Sequence, residues 1–156
     1  MDVVEQKFDS SVKRVVGVSN SFSLQMLERK EADRFEPFMP FARLTTDDGV
    51  VVSCVPIDAK VARWILAQPQ AEGWESYIGH PDVAHVVQAD LGLENELYDR
   101  QRRSCKLTGG DALVVAQYTG PRLPEGATAL PEGATILYWF VQVVSSHDMW
   151  LFTTWP

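Results

Sequence analysis

His80 is the residue best placed to do proton chemistry. It stands in Gly79-His80-Pro81-Asp82, which reads as the start of a helix. Proline is tolerated in a first helical turn, and Asp82 suits the positive end of the helix dipole. A histidine there can serve as a cap as readily as a catalyst. The other two histidines are His85 and His147. His80 and His85 are five residues apart, which turns them about 140° away from each other on a helix. The i,i+4 spacing of a zinc pair is therefore missing, no carboxylate motif completes a site, and neither a metal nor a cofactor is expected. There is no Walker loop and no G-x-G-x-x-G after a strand, so ATP-driven and dinucleotide chemistry lack a motif.

Anion binding has two further sources. Asn20-Ser21-Phe22-Ser23 follows the β-branched run Arg14–Ser19 and precedes Leu24, Met26 and Leu27. This reads as strand, tight turn and helix start, with Ser21 or Ser23 as N-cap. Such a turn can hold an anion or simply cap its helix. The second source is residues 100–122, where Arg100, Arg102, Arg103, Lys106 and Arg122 face the single acid Asp111. That is a local charge of +4 in a chain of net charge −7, leaving −11 for the rest. A protein that coats long nucleic acid presents a basic face. A compact basic segment in an acidic body suits a small anionic ligand better, although the arginines could equally form a solvated strand face.

The elements that must position these residues alternate. Strands are expected over 14–19, 50–55, 101–107, 112–118 and 136–144, with Pro56 stopping the second. Gly109-Gly110-Asp111 reads as a hairpin turn joining the third strand to the fourth. Helices are expected from Leu24 to about Arg34, over 59–68 with Asp58 as cap, and from His80 to about Asp90 with Gly92 ending it. Residues 35–49, with Pro37 and Pro40, read as loop. The segment LPEGAT, present at 123–128 and 130–135, reads as a turn-rich loop rather than a repeat. The fold class is thus α/β: one domain with a mixed sheet of about five strands and flanking helices, preceded by a loose tail over 1–13. At 156 residues the chain is one domain long, and its 46% hydrophobic and 22% charged residues are those of an ordinary globular protein. Cys54 and Cys105 are too few for a disulfide framework, and no apolar run reaches a membrane span. A soluble cytoplasmic protein is expected.

Several pieces in order resemble a family. Ser19-Asn20-Ser21-Phe22-Ser23-Leu24-Gln25-Met26-Leu27 is similar to the "AN-x-FS-x-x-ML" opening of the small viral ring nucleases, anti-CRISPR proteins of archaeal viruses and phages with bacterial relatives. Ile78-Gly79-His80 resembles their "IGH" helix start. Ala112–Gln117 followed by Arg122-Leu123-Pro124-Glu125-Gly126 resembles their strand and "RL-x-EG" loop. The resemblance covers about two-thirds of the chain. Residues 35–77 are longer than the family pattern, one extra residue lies between Gln117 and Arg122, and Val83 replaces a hydroxyl residue found in some relatives.

The resemblance implies a symmetric homodimer that binds cyclic tetra-adenylate, the second messenger of type III CRISPR defence, across its two-fold axis. It implies metal-independent cleavage in the host cytoplasm, with His80 as general acid and Glu125 orienting it. Asn20, Ser23, Arg102, Gln117 and Arg122 would contact the ligand. No long nucleic acid and no membrane is implied as partner. Two other readings stay open: a non-catalytic sponge for a cyclic nucleotide, and a nuclease of the same fold acting on a cyclic dinucleotide.

Overall fold

The computed structural model describes residues 12–23, 26–27, 34–38, 41–45 and 51–144. Seven strands form one sheet: β1 (Arg14–Ser19), β2 (Arg34–Phe38), β3 (Phe41–Thr45), β4 (Val51–Ile57), β5 (Glu75–Ser76), β6 (Asp111–Thr119) and β7 (Thr135–Val144). Their order across the sheet is β2-β3-β4-β7-β6-β1-β5. β1 lies parallel to both β5 and β6, and the remaining pairs are antiparallel. Two helices complete the described elements, α1 (Ala59–Leu66) and α2 (Pro81–Leu91). The α/β class and the mixed sheet are those expected from the sequence.

Alternation along β6 and β7 divides the core in two. Ala112, Val114 and Ala116 of β6 and Tyr138 and Phe140 of β7 face both helices, where they meet Ala62, Ile65, Ala84, Val87 and Leu91. Leu113, Val115, Val141 and Val143 face the other way, against Val52, Leu27, Cys105 and Leu107. Tyr138 is buried beneath α2 and donates its hydroxyl to Asp90 at 2.7 Å, which satisfies the polar end of a core residue. A register shift between Val15 and Gly17 inserts Val16 as a bulge in β1. Val15 and Val18, three residues apart, thereby both reach the helix-covered core.

Asp58 caps α1 by accepting the Val61 N–H at 2.8 Å, and Gly92 ends α2 in the left-handed region at φ 66°. Both ends were legible as local signals. Four expectations are corrected. Residues 35–49 contain the β2–β3 hairpin rather than only loop. Pro37 does not prevent it, because β2 is the sheet's edge strand and a proline there needs no outward partner. Pro56 does not stop β4, which runs on to Ile57. Its described pairing with β3 ends at Cys54, so Pro56 lies where only β7 is alongside.

The third correction is residues 101–107, which form no strand. The buried carboxylate of Asp99 accepts the backbone N–H groups of Gln101 at 3.2 Å and Arg103 at 2.7 Å, curling the chain instead. Cys105 and Leu107 still point into the core, which is why the alternation looked strand-like. The turn at 108–111 exists, but the neighbours of β6 are β1 and β7. The fourth concerns the helix expected from Leu24 to Arg34. Most of it lies outside the described residues, but Leu27 bridges Leu107 and Arg34 opens β2. Residues 1–11 of the expected tail also lie outside, whereas Val12 is buried and Lys13 donates its N–H to the Gly110 carbonyl at 2.8 Å.

Burial pushes the Cys54 thiol up to about 11, and burial together with the nearby Asp111 charge does the same to Cys105. Both are free thiols. Because the folded values lie above the ordinary 9.0, their contribution to stability is fully present below pH 9. It is lost as pH rises through about 11. Burial, with the Asp90 hydrogen bond, shifts Tyr138 in the same direction. The midpoint of thermal unfolding is expected to fall across that alkaline window, and to fall less steeply in the Cys54→Ala/Cys105→Ala variant. Equal slopes in the two proteins would show that the thiols are not linked to folding.

Candidate functional site

β5, β1 and β6 run parallel, so their carboxyl ends lie on one side of the sheet, the side where open α/β sheets form crevices. β1 delivers Asn20–Ser23 there, β5 delivers Gly79-His80, and β6 delivers the loop from Gly120 to Gly126. The last pair between β1 and β6 is Ser19 with Val115. Beyond it β6 continues to Thr119 with β7 alone beside it, leaving a notch at the sheet's end.

His80 occupies the N-cap of α2, and its Nδ1 accepts the Val83 N–H at 3.3 Å. A ring nitrogen that accepts a backbone N–H carries no proton, so Nε2 is the nitrogen left to donate. His80 is exposed and lines an open cleft of about 720 Å³ with Asp82, Tyr118, Arg122 and Glu125. Three of the residues expected to act together, His80, Arg122 and Glu125, are therefore brought into one cleft.

The loop carrying Arg122 and Glu125 is shaped by tight turns. Ala127 donates its N–H to the Pro124 carbonyl at 3.1 Å, and Gly126 has φ 79°. Ala134 does the same to Pro131 at 3.1 Å, with Gly133 at φ 82°. The two LPEG copies thus build the same turn, with glycine at the position that needs positive φ. Only the first is tied to α2 among the described residues, because the Gly126 N–H donates to Asp82 Oδ1 at 3.0 Å. Tyr118 closes the other end of the loop by donating its hydroxyl to the Pro121 carbonyl.

The chain leading into His80 is braced from below. Ser76 donates its hydroxyl to the Leu97 carbonyl, and the Asp99 N–H donates to the Ile78 carbonyl at 2.9 Å. A side chain on Gly79 would meet the Arg102 stem at 3.1 Å, so glycine lets Arg102 lie against the residue preceding His80. Arg102 itself has φ 50°, a conformation non-glycine residues seldom adopt.

The basic segment is less available than its charge suggests. Arg103 pairs with Glu75 at 2.7 Å and with the buried Asp99 at 3.4 Å, and stacks over Tyr77. Arg100 pairs with Glu96 at 3.5 Å and lies over Tyr98. Neither Arg102 nor Arg122 has a carboxylate partner among the described residues.

Asn20 and Gln117 lie elsewhere. Alternation puts Gln117 and Tyr118 on opposite faces of β6, and Gln117 lines a second groove with Asn20, Phe22, Cys54 and Trp139. Ser23 lines neither hollow, and its carbonyl accepts the Met26 N–H at 3.1 Å. Sequence reasoning passed over Tyr118, Asp82 and Trp139 as site residues. The signal for Tyr118 was its adjacency to Gln117, since two faces of one strand tip serve two hollows.

No three His, Cys, Asp or Glu side chains converge among the described residues, and no described helix is long and apolar enough to cross a membrane. A mixed sheet whose parallel strands deliver a capping histidine, a free arginine and a glutamate to one crevice defines a small α/β protein with an anion-directed cleft. The chain belongs to the STIV B116-like family, which it matches over residues 37–134. That span holds His80, Arg102, Gln117, Arg122 and Glu125, but not Asn20 or Ser23. No curated protein matches the chain.

Proposed function

We propose that this protein is a ring nuclease: a phosphodiesterase that binds and cleaves a cyclic oligonucleotide messenger, cyclic tetra-adenylate, and so suppresses type III CRISPR signalling. The observation that carries the reading is the cleft shared by His80, Arg122 and Glu125 at a helix N-terminus. Phosphate is favoured there by the α2 dipole and by a cation without an acidic partner among the described residues.

The ligand's own ribose 2′-hydroxyl attacks the adjacent phosphorus. The new P–O2′ bond forms as the P–O5′ bond breaks, leaving a 2′,3′-cyclic phosphate and a 5′-hydroxyl. Glu125 takes the 2′-hydroxyl proton, and His80 gives a proton from Nε2 to the departing O5′. Arg122, with Arg102 beside Gly79, holds the charge that develops on phosphate. Asn20, Ser23 and Gln117 contact base or ribose. A ring-shaped ligand of two-fold symmetry calls for two copies of this set, so the working unit is a homodimer.

The test is to incubate the protein with a panel of cyclic oligoadenylates and cyclic dinucleotides in EDTA, resolve the products, and measure binding stoichiometry. Expected are linear products ending in 2′,3′-cyclic phosphate and one ring bound per two chains. Tight binding without products would establish the sponge instead, and cleavage of a dinucleotide alone would move the substrate to another pathway.

A further inference from the structure

The groove holding Asn20 and Gln117 differs in chemistry from the His80 cleft. It encloses about 360 Å³, and Val115, Val141, Trp139 and Phe22 supply apolar and aromatic walls. The Cys54 thiol also lines it and stays neutral, since burial pushes it up to about 11. No charged side chain lines the groove among the described residues. A phosphate has no reason to enter. Its only side-chain amides are Asn20 and Gln117, accompanied by the Ser21 hydroxyl.

An aromatic-walled slot with amides at its mouth has the chemistry of a nucleobase site. Bases that are not paired are held by stacking on aromatic rings and read by hydrogen bonds along their edges. An Asn or Gln amide presents a donor and an acceptor side by side. That pattern matches adenine, whose N6 amine donates and whose N7 accepts, and mismatches a purine with a carbonyl at position 6. Position relative to the cleft supports the same occupant. Gln117 in the groove and Tyr118 in the cleft are consecutive residues, whose Cα atoms are about 3.8 Å apart. Beyond Ser19 the β1 side of the β6 tip has no paired strand. A nucleotide can therefore sit across the notch with its base on one face of the sheet and its phosphate on the other.

We infer that the groove between Asn20 and Gln117 is a six-aminopurine pocket, so that each protomer carries a divided nucleotide site: base beside Trp139, phosphate beside His80. This rests on the nuclease reading for its natural ligand, but the pocket can be probed without it.

The experiment measures saturation-transfer NMR of 5′-AMP and 5′-IMP on the full chain, beside equilibrium binding of cyclic tetra-adenylate. Wild type is expected to saturate the adenine H2 and H8 protons and to prefer AMP over IMP. Gln117→Ala, at an exposed position, should remove that preference and weaken binding of cyclic tetra-adenylate ~10–100-fold. Trp139→Ala should weaken it by a similar factor while leaving the phosphate-directed effect of Arg122→Ala intact. If wild type binds cyclic tetra-adenylate but Gln117→Ala keeps full affinity and preference, the base pocket is elsewhere and the nuclease reading survives. If wild type ignores cyclic tetra-adenylate yet saturates AMP in a Gln117-dependent way, the pocket stands and the nuclease reading falls. Absence of both signals overturns the pocket. Should Trp139→Ala melt early, the Gln117 variant alone decides.

Discussion

Replacing His80 with asparagine is expected to slow cleavage of cyclic tetra-adenylate ~10²–10⁴-fold, the usual contribution of a positioned acid, while leaving the fold as stable as wild type. The separation is possible because His80 does two jobs at one place. In the free protein its Nδ1 accepts the Val83 N–H and caps α2. Asparagine is a strong N-cap, so its side-chain oxygen can take over that bond. It has no proton to give to a leaving alkoxide. His80→Ala loses both functions, and should add about 1 kcal/mol of destabilisation to the same catalytic defect. The two variants together isolate the acid from the cap.

The cap also constrains the chemistry. To act as a general acid the ring must carry two protons, and the second can only go on Nδ1, which the Val83 N–H now occupies. A phosphate arriving at the helix N-terminus can accept that N–H in its place, freeing the ring as ligand binds. Single-turnover cleavage, denaturant unfolding and equilibrium binding on both variants test this. Near-wild-type cleavage by His80→Asn would reject the acid role. Equal loss of binding and cleavage would make His80 a ligand-holding residue and favour the sponge.

What could be read in the sequence was what local chemistry decides. Asp58, Gly92 and the Pro81-Asp82 start mark helix ends through bonds that form within four residues, and each is found where its signal lies. Prolines misled where their effect depends on a neighbour several strands away. Pro37 and Pro56 are acceptable only because of what does not pair beside them. The arginines misled for the same reason. Nothing within residues 100–106 reveals that Glu75, 28 positions before Arg103, claims its guanidinium. Of the expected site, His80, Arg122 and Glu125 share a cleft because a resemblance placed them in order. That Gln117 belongs to a separate hollow follows from strand alternation and was open to inference. The unforeseen Asp82–Gly126 bond spans 44 residues.

Gly17→Ala is expected to destabilise the protein by about 3 kcal/mol, the upper end of what overpacking costs. Gly17 is buried in β1 without an unusual φ, and at such positions alanine ordinarily stabilises by ~0.4–1 kcal/mol by restricting the unfolded chain. Here the sign reverses. A Cβ built on Gly17 would lie 1.8 Å from the Glu75 carbonyl oxygen and 2.8 Å from its carbon, both backbone atoms. No side-chain rotation relieves that contact, so β5 must move away from β1. Its two residues pair with Gly17 and Val18, and the Tyr77 N–H donates to the Val18 carbonyl at 2.8 Å. Displacing β5 also shifts the chain that runs through Ile78 and Gly79 to His80. Ligand binding should therefore weaken along with stability, although Gly17 touches neither hollow. Gly73→Ala supplies the contrast. Its φ of 79° is strained for alanine, but nothing lies within 4 Å of the added carbon. Only the backbone penalty of about 1–2 kcal/mol applies, and the site should be unaffected. Denaturant unfolding with a binding titration on both variants checks the pair. A Gly17→Ala protein as stable as wild type would mean that β5 does not dock on β1 as described.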